Sequence, residues 1–110
     1  MMVQSYRQIE RSHTVTMLDR CKKDYLKLTK KNTTLRLWIE NILGELKLRP
    51  YMGEKLFANF PGCRSIHFNG NSYRIIYRIL DEPETEILIL EIGHRNSSYT
   101  DLARILGQGK

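Results

Sequence analysis

The dipeptide Asn69-Gly70 constrains this chain more than any other feature, because it sits between two β-rich runs at 63–68 and 73–79. Asn and Gly supply the positive φ angles that hairpin turns demand, so the two runs are expected to fold back on each other. A second reversal at Asp81-Glu82-Pro83-Glu84-Thr85 leads into Ile87-Leu88-Ile89-Leu90-Glu91-Ile92. The sequence therefore predicts a small antiparallel meander of three strands.

The first half reads differently. Leu18, Cys21, Tyr25 and Leu28 recur at spacings of three and four, which puts them on one face of a helix from about Thr14 to Leu28. Asn32 is a candidate N-cap for a second amphipathic helix, marked by Leu35, Ile39, Ile42 and Leu46 and closed by Pro50. So short a connection predicts an antiparallel helix hairpin whose apolar stripes face one surface. Residues 51–62 read as a loop anchored by Leu56 and Phe60. Ser98-Tyr99-Thr100-Asp101 fits a Ser-x-x-acid capping box, opening a short C-terminal helix through Leu106 that Gly107 stops. The expected class is α+β in a single domain over 1–110, with residues 1–11 as a tail.

Composition narrows the function. No apolar run approaches the roughly 18 residues of a membrane span, and the N-terminus carries no signal-peptide core, so a cytoplasmic protein without a membrane partner is expected. Cys21 and Cys63 are far apart and read as reduced thiols; His13, His67 and His94 lack metal-ligand spacing. Neither a metal nor a cofactor is expected. The net charge of +6 favours a polyanion or an acidic protein surface as partner.

Strand residues alternate faces. On the first strand Arg64, Ile66 and Phe68 oppose Cys63, Ser65 and His67; on the second Tyr73, Ile75, Tyr77 and Ile79 oppose Arg74, Ile76, Arg78 and Leu80. On the third, Leu88, Leu90 and Ile92 oppose Ile87, Ile89 and Glu91. One face is expected to pack on the helices. The other stays partly open, with His67 near Arg74, Arg95 at the strand end and Tyr99 in the following turn. Plainer roles compete: Arg78 as a cross-strand partner of Glu91, Tyr73 and Tyr77 as sheet packing, Trp38 as a hydrophobic edge, and Arg74 in a salt bridge to Glu91 or Glu86.

Gly-Glu-Lys-Leu at 53–56, Tyr73-Arg74-Ile75-Ile76-Tyr77, and Gly93-His94-Arg95 with Tyr99 together resemble the RelE/ParE superfamily of bacterial toxins. The resemblance covers roughly 50–106, with the helices before it matching in type. It implies a toxin of a type II toxin–antitoxin system, an antitoxin partner with an acidic contact segment and, in RelE-type members, endoribonuclease activity on mRNA in the ribosome. Such an enzyme must remove a ribose 2′ proton, stabilise charge on phosphate and protonate the 5′-oxygen, without metal.

On that resemblance Arg74 is assigned to the phosphate, because a guanidinium donates two parallel hydrogen bonds to it, and Arg95 is a second clamp. His67 is the first choice as general acid or base, and Tyr99 orients the nucleotide. Lys55, Arg64 and His94 are assigned as further RNA contacts. The best-known RelE-like members carry lysines on the first strand, where this chain has Arg64, Ser65 and His67. Two alternatives stay open: a ParE-like inhibitor of DNA gyrase, and a non-catalytic antitoxin-binding or co-repressor module.

Overall fold

Thr14, Val15, Thr16 and Met17 alternate polar and apolar, and a β-branched run of period two is better satisfied by a strand than by a helix. The computed structural model, which describes residues 13–56, 61–70, 72–80 and 85–94, makes Thr14–Met17 strand β1. Val15 and Met17 point to the core and both threonines are exposed. The first helix, α1, therefore starts later than its apolar spacing predicts, spanning Asp19–Thr29.

Residues 30–32 separate it from α2, Thr33–Leu48. Asn32 caps α2 as expected, its side-chain oxygen accepting from the Leu35 N–H at 3.0 Å. Tyr25 donates its hydroxyl to Glu40 Oε2 at 3.2 Å, joining the two helices.

The remaining strands are β2 (Glu54–Lys55), β3 (Cys63–Phe68), β4 (Tyr73–Leu80) and β5 (Glu86–His94). They form a five-stranded sheet in the order β1-β5-β4-β3-β2. The antiparallel meander β3–β4–β5 is its centre. The sheet as a whole is mixed, because β1 adds to β5 in parallel, and the 51–62 segment contributes the two-residue edge strand β2. Asn69 and Gly70 both take positive φ (54° and 62°), and the Ser72 N–H closes the turn on the Asn69 carbonyl at 3.1 Å.

The core lies between the helices and one face of the sheet. Cys21 of α1 and Leu35, Ile39 and Leu46 of α2 meet Ile75, Tyr77, Ile87, Ile89 and Ile92. A smaller cluster, Cys63, Ile76 and Leu90 with Leu56 and Leu88 beside it, occupies the opposite face.

The residues of β5 do not follow the simple alternation that the sequence suggests. Ile76 pairs with Glu91 but Tyr77 pairs with Ile89, so Leu90 is an extra residue in the ladder. Such a bulge shifts the side-chain phase by one. Ile92 joins Ile87 and Ile89 in the main core, while Leu90 and Glu91 both turn to the other face.

The expected tail at 1–11, Phe60 and the C-terminal helix lie outside the described residues, as do Arg95 and Tyr99.

Candidate functional site

The face of the sheet away from the helices is built by the β3–β4 hairpin. The turn fixes the register, and that register sets Ser65 opposite Ile76 and His67 opposite Arg74. Directly opposed residues of an antiparallel pair have their Cβ atoms about 4.5–5.5 Å apart, so His67 and Arg74 are neighbours.

Their environments differ. His67 is exposed, near the end of β3, and lines an open groove of about 290 Å³ with Met52, Gly53, Glu54, Ser65 and Ile66. Arg74 is 2% exposed and its Nη2 lies 3.5 Å from Glu91 Oε1. Glu91 reaches this position because the bulge turned it there. Arg78, read from sequence as the partner of Glu91, instead stands in register between Cys63 and Leu88.

The other candidates are not gathered around this pair. Arg64 belongs to the alternate set of β3, and its Nη1 donates to the Gly53 carbonyl at 2.6 Å and the Tyr51 carbonyl at 3.2 Å. Its guanidinium also lies 5.0 Å from the Tyr51 ring centre. Lys55 is exposed on β2 and pairs with Arg64 in register. His94, exposed at the end of β5, packs its ring 4.7 Å from that of Tyr73. Tyr73 stacks in turn on Phe68 at 5.6 Å, and Phe68 meets the edge of Trp38 at 6.4 Å. This aromatic row joins α2 to three strands.

A clamp beside the groove was not visible in the sequence. The Tyr77 hydroxyl is buried, donates to the Pro50 carbonyl at 2.7 Å and accepts from the Gly53 N–H at 2.9 Å. Burial holds the Tyr77 phenol above its ordinary pKa, against the smaller opposing pull of the Gly53 N–H and Arg64. Gly53 has no room for a side chain: a Cβ there would lie 2.7 Å from the Tyr77 hydroxyl and 2.8 Å from the Ser65 carbonyl oxygen. With Arg64 holding the Gly53 carbonyl, the 50–53 turn is fastened to the floor of the groove. The glycine of Gly-Glu-Lys-Leu was the available signal, since it marks a close backbone approach.

Both cysteines are buried. Burial, with Asp24 and Glu91 adding to it, pushes the Cys21 thiol up to about 12. Burial also raises Cys63. Both shifts disfavour the thiolate, the form in which a cysteine acts as a nucleophile.

Comparison with known proteins gives this architecture a family. The model of the ParE toxin of the type II toxin–antitoxin system, parDE, matches residues 15–99. The chain belongs to that family, within the RelE/ParE superfamily of type II toxins. Its fold is that of E. coli RelE. A mutant of that toxin in the free state superposes with a TM-score of 0.70 at 20% identity, covering 86% of this chain and 98% of that one. The isolated E. coli RelE toxin gives 0.64 at 20% identity, over 86% and 99% of the two chains. RelE in the intact E. coli RelBE toxin–antitoxin complex gives 0.65 at 20% identity, over 78% and 100%. No curated protein matches the sequence significantly.

Proposed function

We propose that the protein is a toxin that cleaves mRNA on the ribosome, using an attack of the ribose 2′-OH on the adjacent phosphate. The observation that carries this reading is the register opposition of His67 and Arg74 on the sheet face opposite α1 and α2. A proton-transfer group next to a guanidinium is the minimum equipment for the reaction.

His67 takes the 2′ proton or delivers one to the departing 5′-oxygen, and water makes the other transfer. The bond from the 2′-oxygen to phosphorus forms as the bond from phosphorus to the 5′-oxygen breaks. Charge accumulates on the non-bridging oxygens, where Arg74, opposite His67 in register, supplies the cation. Arg95 serves as the second clamp and Tyr99 stacks on the nucleotide. Lys55 and His94, both exposed, stand in register with Arg64 and Tyr73 of the alternate set, so any RNA contact they make lies away from this pair. Arg64, already bound to two carbonyls, acts through the 50–53 turn.

The partner that restrains this activity is an antitoxin whose acidic segment covers the basic surface. E. coli RelE is known with antitoxin RelB and with a peptide from it, and the net charge of +6 suits an acidic counterpart. The place of action is the cytoplasm.

Primer extension on a reporter mRNA after induction tests the reading. Discrete cuts within translated codons, lost in His67→Ala and Arg74→Ala, are the expected result. Cuts unchanged in both variants would remove the assignment. A second reading has its own support, because the matching family model is that of ParE toxins. Growth arrest without cleavage, accompanied by inhibited gyrase supercoiling, would favour it.

A further inference from the structure

A binding site for phosphate gains from every cation and loses to every anion, yet this face sets a carboxylate against its buried arginine. We propose that Glu91 is a built-in competitor for Arg74, so that a substrate phosphate engages the guanidinium by displacing the carboxylate. The proposal concerns the regulation of the site described above and rests on that reading of Arg74.

Three observations carry it. First, the position of Glu91 is made by a specific backbone device. Plain alternation along β5 would send residue 91 to the helix side with Ile87 and Ile89; the extra residue at Leu90 sends it to the Arg74 side. Bulges re-aim side chains in this manner and recur beside active sites.

Second, the pair is secluded: the side chains of Arg74 and Glu91 are 3% and 12% exposed. Ion pairs so far from water hold their charges strongly on each other but add little net stability over apolar replacements. Stability alone gives little reason for it.

Third, the contact is 3.5 Å, longer than the roughly 2.7–2.9 Å of a well-made charge-assisted bond. A phosphate, with oxygens spaced for the guanidinium fork, offers Arg74 the better geometry. The carboxylate is thus an occupant that a correctly placed phosphodiester can outcompete.

The test is titration of the purified protein with inorganic phosphate, followed by NMR of the arginine side chains. Wild type, Glu91→Gln, Glu91→Ser and the double variant Arg74→Gln/Glu91→Gln are compared, with circular dichroism to confirm folding. Both single variants are expected to bind phosphate about tenfold more tightly than wild type. The double variant is expected to lose that gain, which a merely structural role for Glu91 would not produce.

Equal or weaker phosphate binding in the folded single variants overturns the proposal. So does unfolding of both, which would make the pair a structural one. A parallel titration with a 2′-O-methyl RNA oligomer, which cannot supply the attacking hydroxyl, separates this inference from the functional reading. Tighter phosphate binding with no binding of the oligomer, and no cuts by wild type in the primer-extension assay, supports the competitor and removes the nuclease. Cleavage by wild type with no gain in either variant does the reverse.

Discussion

The two faces of one sheet obey different rules. On the helix side β4 and β5 present Ile75, Tyr77, Ile87, Ile89 and Ile92 to apolar stripes of two helices, and Ile39 and Leu46 are fully buried there. Every position can be accounted for by removal of apolar surface from water. On the other side a small cluster of Cys63, Ile76 and Leu90 adjoins a buried ion pair and an exposed histidine. Burial does not explain a guanidinium and a carboxylate set into that face. A fold needs the first kind of surface, whereas the second costs desolvation and is retained where charges are used.

If that division is right, truncation on the helix side should act on stability far more than on chemistry. Ile39→Ala removes most of a fully buried side chain from the middle of α2 and should cost about 2–5 kcal/mol in denaturant unfolding. A loss below about 1 kcal/mol, no more than deleting a single buried methyl group costs, would show that the helix layer is not the main core. Tyr77→Phe comes next. It keeps the ring in the core but strips the Pro50 carbonyl and the Gly53 N–H of their partner, for a cost of about 1–3 kcal/mol. Because the 50–53 turn borders the groove of His67, this variant is the exception that links the two faces: stability should fall, and cleavage at saturating expression should fall with it.

Much of the helix-side face was legible in advance. Asn69-Gly70 announced the β3–β4 hairpin, and the stripes through Cys21 and Leu35, Ile39 and Leu46 announced the surfaces the helices bury. What escaped were features with little local mark. A four-residue strand such as Thr14–Met17 is too short for its alternation to outweigh the helical spacing that begins at Leu18. The bulge is quieter still, since Leu90-Glu91 is acceptable in either phase and only the partner strand reveals the extra residue. On the candidate site, alternation placed His67 near Arg74 on one face, and the register that sets them directly opposite came from the structure. The capture of Arg64 did not, because its carbonyl partners come from the 50–53 turn, whose path the sequence leaves open.

A smaller effect is expected from pH. Cys21 ionises at an ordinary value of 9.0 when the chain is unfolded and near 12 in the folded core, chiefly because burial disfavours the thiolate. Between these values the unfolded chain has lost a proton that the folded one keeps. Raising pH through this window therefore favours unfolding, by about 1.4 kcal/mol per pH unit from this one group. Below pH 9 its stabilising contribution is fully present. Cys21→Ala should be less stable than wild type at pH 8, and the gap should narrow at pH 10. A gap of constant width would mean that the thiol is not sealed in the helix-side core.

The smallest change in stability belongs to the residue with the largest proposed role. His67 is exposed, stands at the groove and lies outside both apolar clusters, so His67→Ala should alter unfolding free energy by no more than about 0.5 kcal/mol. Cleavage should nevertheless fall by about 100-fold or more, the usual worth of a general acid–base group. Gel-based cleavage rates and denaturant curves on the same preparation measure both. Loss of activity with an unchanged midpoint places His67 in the chemistry; parallel loss of both would make it part of the scaffold after all. Activity retained in full, beside loss in a folded Arg74 variant, would leave the phosphate cation in place and send the search for the proton-transfer group to other residues.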